Sequence, residues 1–188
     1  MVILIGGSSH VGKTMVAKKL VEKHGWDCIP LDYLKSTFLK AWFADCEKSD
    51  DVAIRHGMWP LVSEIVKQAV ETGRNLIIEG CYIPVEWKES FSSEQMKHIR
   101  AVFIVMSEAY IRSHMDDIGT HSAVVEKRIN DVLDVERLVA CSAGFKADCL
   151  ENGTSYIEID REYDVDSLMY AVGSVIEDLD SSGKGIIL

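Results

Sequence analysis

Residues Gly7-Ser8-Ser9-His10-Val11-Gly12-Lys13-Thr14 fit the pattern G-x-x-x-x-G-K-[ST] and follow directly on the apolar run Val2-Ile3-Leu4-Ile5. A buried strand that runs into such a loop and then into a helix predicts the opening unit of an α/β fold. The residue types answer the needs of a polyphosphate, whose oxygens require several donors converging on a small space. Gly7 and Gly12 can take positive φ and carry no Cβ, so the backbone N–H groups of Ser8, Ser9, His10 and Val11 can turn toward one anion. Lys13 supplies a mobile point charge, and the helix expected from about Gly12 adds its positive dipole end. The Thr14 hydroxyl is placed to complete the coordination of a Mg²⁺. His10 could be read as catalytic, but such x positions present backbone rather than side chain. The motif specifies a nucleotide phosphate and says little about the reaction.

Along the chain, Val16, Ala17, Leu20 and Val21 recur at helical spacing and His24-Gly25 closes that helix. Asp27-Cys28-Ile29-Pro30-Leu31 predicts a short second strand, with Asp32 just beyond its carboxyl end. From about Tyr33 to Gly73 the pattern is helical: one helix around Leu34, Phe38, Leu39, Trp42 and Phe43, and another around Leu61, Val62, Ile65, Val66, Ala69 and Val70. Glu47 to Asp51 reads as a surface turn between them. Asn75 to Gly80 and Ala101 to Met106 predict the third and fourth strands, and Ser155 to Ile159 the fifth. A helix follows from Ser107. Polar Ser113 to His121, containing Gly119, predicts a joint, and Val125, Ile129, Val132, Leu133, Leu138 and Val139 predict one long amphipathic helix. Val165 to Ile176 predicts the closing helix, and the tail after Asp180 is expected to be loosely held.

Length and composition set bounds. The 188 residues, 47% hydrophobic and 27% charged, suit one α/β domain spanning 1–188 with a parallel sheet covered on both faces. No apolar run is long enough for a membrane helix, and the opening Met1 to Ile5 has no basic lead-in, so neither a membrane partner nor a cleaved leader is expected. Five scattered cysteines, an odd number without C-x-x-C spacing, predict free thiols and a cytoplasmic protein. A net charge of -10 argues against nucleic acid as a partner. A small anionic ligand would have to be met by local Lys and Arg. His114, Asp117 and His121 could ligate a metal only if helical throughout, and Gly119 between them favours solvated side chains.

Two acids carry further information. Glu79 ends an apolar strand, which would put its carboxylate near Thr14 to hold a Mg²⁺-bound water; the alternative is a plain strand-end carboxylate. Asp32 could accept a proton from an attacking hydroxyl or orient it; the alternative is an N-cap of the helix beginning near Tyr33. Both roles of Asp32 are compatible.

With these residues in order, the chain resembles the small P-loop kinases of the adenylate kinase-like and shikimate kinase-like group. Gly7 to Thr14, the lone acid in Leu31-Asp32-Tyr33-Leu34-Lys35, and Ile77-Ile78-Glu79-Gly80 carry the resemblance. Within that group it is similar to 2-phosphoglycerate kinase-like, zeta-toxin-like and chloramphenicol phosphotransferase-like proteins. The resemblance implies a three-layer P-loop NTPase fold with a five-stranded parallel sheet in the order 2-3-1-4-5 and a helical lid. It also implies ATP and Mg²⁺ as cofactors and a small-molecule acceptor of the γ-phosphoryl group.

Carried over to this sequence, the resemblance makes the lid residues 113–128. Arg112 matches an arginine that covers the adenine, and Arg128 one that stabilises charge on the transferring phosphoryl. For both, surface ion pairing is the alternative. The sequence departs from the adenylate kinases after Glu79-Gly80, where Cys81-Tyr82-Ile83-Pro84 holds no arginine to grip a nucleoside monophosphate. A sugar-like, phospho-acid or antibiotic hydroxyl is then at least as suitable an acceptor. The acceptor pocket is expected between the helical insertion, about 33–73, and the third strand. Lys35, Arg55 and Tyr82 are its polar candidates, and Trp42 and Trp59 are walls or plain core. An NTP hydrolase and a nucleotide-binding regulator stay open as alternatives; a guanine-nucleotide switch is disfavoured, since no Asn-Lys-x-Asp element occurs.

Overall fold

Val2–Gly7 forms strand β1, buried along its length, in a computed structural model that describes residues 1–41, 51–125, 134–177 and 183–188. Side chains alternate across it, as strand geometry requires. Val2 and Leu4 join one apolar cluster, and Ile3 and Ile5 join another on the opposite face. The remaining elements in order are α1 Lys13–His24, β2 Asp27–Pro30, α2 Leu31–Ala41, α3 Asp51–Glu71 and β3 Leu76–Glu79. A short 3-10 turn, Trp87–Ser90, precedes α4 Ser93–Met96, β4 Ile99–Met106, α5 Glu108–Ser113 and α6 Met115–Val125. The chain closes with α7 Val135–Glu151, β5 Tyr156–Ile159, α8 Val165–Glu177 and β6 Gly185–Ile187.

The strands form one sheet in the order β2-β3-β1-β4-β5-β6, and every pairing is parallel. Met58, Val62 and Val66 of α3 and Phe145 of α7 cover one face, against Val2, Leu4 and Ile78. Val16 and Leu20 of α1 and Leu168 and Val172 of α8 cover the other, against Ile3, Ile5 and Ile77. This is the three-layer arrangement expected from the unbroken apolar runs. Among the described residues no helix is long and apolar enough to cross a membrane.

The expected five strands become six. The tail read as loosely held carries β6, which pairs Tyr156↔Gly185 and Ile157↔Ile186, while the Leu188 carbonyl oxygen accepts from the Asp160 and Arg161 N–H groups at 2.9 and 3.1 Å. The short run Ile186-Ile187-Leu188 finds its stability only in the exposed edge of β5, which a sequence pattern does not reveal. A second difference is α3. It begins ten residues before Leu61 and passes through Pro60, whose missing N–H ordinarily breaks a helix. Packing on both sides of the proline overrides this: Ile54 and Met58 before it and Val62 and Val66 after it are buried, and the Trp59 indole N–H donates to Ser90 Oγ at 2.7 Å.

A third difference lies beyond Ser107. Residues expected to form a joint are helical, with Gly119 inside α6 and the chain broken only at His114. The single amphipathic helix expected from Val125 to Val139 is interrupted, because Asp134 is an N-cap whose side chain accepts from the Arg137 N–H at 3.1 Å and starts α7. Cys28, Cys81, Cys141 and Cys149 are free thiols; Cys46 lies outside the described residues.

Candidate active site

The register of the sheet builds the site. Ile5 of β1 is paired with Glu79 of β3, and Glu79 in turn with Pro30 of β2, so the ends of three strands lie side by side at the exit to the Gly7–Thr14 loop. Ligands gather at this carboxyl edge in open α/β sheets.

Gly7 (φ 118°) and Gly12 (φ 85°) take the positive φ that the motif predicts, and so does His10 (φ 63°), a conformation that costs a non-glycine residue on the order of 1 kcal/mol. The glycines are needed for a reason beyond room for phosphate. A Cβ on Gly7 would collide with the Ile104 carbonyl oxygen of β4, and one on Gly12 with the Tyr163 hydroxyl. Ser8 Oγ points inward, 2.8 Å from Ser142 Oγ of α7, which accepts the Met106 N–H at 3.0 Å. Ser9 Oγ sits 3.6 Å from Cys81 Sγ. Val11 is buried in the core, leaving the backbone as the loop's face. Lys13, 7% exposed, reaches back along the loop and donates to the Ser8 carbonyl oxygen at 2.5 Å.

Thr14 Oγ1 donates to Glu79 Oε1 at 3.1 Å, and Glu79 is 5% exposed. A hydroxyl and a carboxylate held together at the loop's end are the hard-oxygen donor set that suits Mg²⁺. The same carboxylate adds to the burial that pushes the neighbouring Cys28 thiol up to about 11. Asp32 lies in the first turn of α2, which follows β2 without a break; it is the second residue of that helix, so the alternative of an N-cap ahead of Tyr33 does not hold. A carboxylate there is favoured by the positive end of the helix.

Lys35 and Tyr82 are brought together. The Lys35 ammonium donates to the Tyr82 hydroxyl and lies 4.6 Å from the ring centroid. Sequence reasoning missed the residue that organises them. Asp51, assigned to a surface turn, accepts from the Tyr82 hydroxyl at 3.2 Å, from Lys35 Nζ at 3.4 Å and, through its other oxygen, from Arg137 Nη2 at 2.8 Å. Burial pushes the Tyr82 phenol well above its ordinary range, and the charges on Asp51, Cys81 and Asp32 add to the effect, so the group stays a donor. Arg55, one turn along α3 from Asp51, lays its guanidinium 4.7 Å over the Phe145 ring with its Nε buried and without a hydrogen-bond partner. Neither Asp51 nor Arg137 has a local signature, because their contact joins residues 86 positions apart.

Arg112 is held by acids. Its Nε donates to Glu108 at 2.8 Å, one helical turn away, and its two Nη groups grip Glu136 at 2.7 and 3.0 Å. These pairs raise its pKa, the hydrogen bond to Glu136 first. His114 stacks on Tyr110, ring centroids 4.3 Å apart. Trp59 packs edge-on against Phe91, 6.2 Å between centroids, a core contact. Arg128 and Trp42 lie outside the described residues, as does the last part of the expected lid.

With the geometry in hand, comparison with solved structures locates the fold. The chain is similar to a deoxyadenosine kinase from M. mycoides bound to the products dCMP and a flexible dCDP, with a TM-score of 0.59 and 14% identity over 94% of this chain and 98% of that one. The fold is that of the small P-loop kinases. A gluconokinase from Sinorhizobium meliloti 1021 gives a TM-score of 0.58 at 15% identity, covering 93% of this chain and 90% of that one. A sugar kinase from Janibacter sp. HTCC2649 gives 0.56 at 13%, covering 97% and 96%. No protein-family model and no curated protein matches the sequence.

Proposed function

We propose that this chain is an ATP- and Mg²⁺-dependent phosphotransferase that moves the γ-phosphoryl of ATP to a hydroxyl or phosphate of a small cytoplasmic acceptor. The observation that carries the reading is the Thr14–Glu79 hydrogen bond, 3.1 Å, closing the base of a loop whose glycines adopt the left-handed conformations a phosphate cradle needs. The shared fold of nucleoside and sugar kinases supports it.

In this reading the backbone N–H groups of Ser9 to Thr14 hold the β- and γ-phosphates, the Ser8 N–H being bound to the Ile104 carbonyl oxygen of β4 at 3.1 Å, and Lys13 leaves the Ser8 carbonyl to pair with a phosphate oxygen. Thr14 and Glu79 would hold Mg²⁺, which when bound neutralises charge on those oxygens. Asp32 orients the acceptor hydroxyl and takes its proton. Lys35, Arg55 and Tyr82 bind the acceptor, Arg112 exchanges an acid for the adenine side of the nucleotide, and Arg128 serves the transferring phosphoryl from the lid.

The test is conversion of ATP to ADP over a panel of hydroxyl- and phosphate-bearing metabolites, with Lys13→Ala as the blank. Acceptor-dependent ADP release is the expected result. Asp32→Asn should leave the Kd for ATP within about twofold and lower kcat by roughly a hundredfold or more. ADP release independent of any acceptor would replace this reading with an NTP hydrolase, and tight ATP binding without turnover would replace it with a nucleotide-binding regulator.

A further inference from the structure

Beside the Tyr82 hydroxyl two basic side chains from different helices meet at Asp51, Lys35 of α2 and Arg137 of α7, while Arg55 of α3, one turn along from Asp51, lies over the Phe145 ring. The chain as a whole carries -10, so the grouping runs against its overall balance. One carboxylate, Asp51, meets Lys35, Arg137 and the phenol at once, using both oxygens. Asp51 is 44% exposed and Arg137 69%, so the pair between them lies at the mouth of the cluster, while Lys35 at 24% and the Tyr82 side chain lie deeper. Arg55 does not turn back to Asp51 although it is four residues on along the same helix face; it stays flat on Phe145 with a buried Nε lacking a partner.

We infer that Asp51 is an internal stand-in for an anionic group of the acceptor, which displaces it and is held by Lys35, Arg137 and the Tyr82 hydroxyl. The inference rests on the phosphotransferase reading and narrows its substrate class to hydroxyl compounds bearing a carboxylate or a phosphate. Three features of the site support it. The deep donors need an acceptor at all times, because a buried phenol O–H or ammonium left unpaired is costly, and Asp51 meets that need. The exposed Asp51–Arg137 pair is cheap to open, as solvated ion pairs generally are. The guanidinium fork of Arg137 is suited to carboxylate or phosphate oxygens and poorly suited to neutral hydroxyls.

Binding to the nucleotide-free full-length chain tests this, in the wild type and in Lys13→Ala, where capture of an anion by the phosphate loop is removed. Titration calorimetry compares matched probes: D-gluconate against D-glucitol for the carboxylate arm, and glycerol 3-phosphate against glycerol for the phosphate arm. At least one anionic probe is expected to bind at millimolar concentration in both proteins, its neutral partner not. Asp51→Asn, which keeps the shape but gives up the charge, should tighten that anion roughly fivefold. Arg137→Gln should weaken it roughly tenfold. Equal binding of a neutral probe, loss of anion binding in Lys13→Ala with retention in Arg137→Gln, weaker anion binding in Asp51→Asn, or no binding of either anion would each overturn the inference. These readouts involve no nucleotide, so failure of the phosphotransferase reading would show in ADP release and failure of this one in the titration.

Discussion

Gly7 shows how tightly a single residue of the Gly7–Thr14 loop is determined. It ends β1 at a φ of 118°, and a methyl group there would run into the Ile104 carbonyl oxygen, a backbone atom that cannot swing aside. Gly7→Ala is expected to lower the unfolding free energy by about 2 kcal/mol or more, measured by urea denaturation, whatever happens to nucleotide affinity. Gly25, also at positive φ but with open space around its missing Cβ, is the control, and its replacement by Ala should cost less. The loop was legible in the sequence because its eight residues are contiguous and each has a stereochemical job. Asp51 was not, because what distinguishes it from any acid in a polar turn is three partners contributed by α2, α7 and the segment after β3.

Helices in this chain are set as much by their ends and by tertiary contacts as by apolar periodicity. The periodicity around Leu138 and Val139 is genuine, yet it does not continue from Val125, since Asp134 caps a new start and aims the first turn of α7. Asp134→Ala should cost about 1 kcal/mol in thermal or urea unfolding, the usual worth of such a cap. It should also loosen the hold of Arg137 on Asp51, since both depend on the same turn. The central strands could be read directly because continuous apolar runs have few alternatives. Residues preceding Pro60 could not, because the proline argues locally for a break that the buried Ile54 and Met58 overrule. The three-residue β6 escaped for a related reason: so short a strand exists only through its partner.

At the scale of the whole molecule, the half-buried Cys28 and the buried Cys149 tie stability to pH. Burial pushes Cys28 up to about 11, with Glu79 adding, and Cys149 up to about 12, with Asp148 adding, against an ordinary value of 9.0. Each folded-state value lies above the unfolded one, so their contribution is fully present below pH 9 and is lost as the pH rises toward 11 and 12. The melting temperature should therefore decline on that alkaline limb, and a Cys28→Ala, Cys149→Ala double variant should flatten the decline. The helix α7 has a consequence of another kind. It is pinned at three places: to the loop through Ser142 and Ser8, to α5 through Glu136 and Arg112, and to α3 through Arg137 and Asp51. A beam fastened in this way cannot shift at one support without loading the others, so any change that a ligand at the Ser8 end makes to affinity at the Arg137 end is returned by an identical ratio in the reverse order of addition.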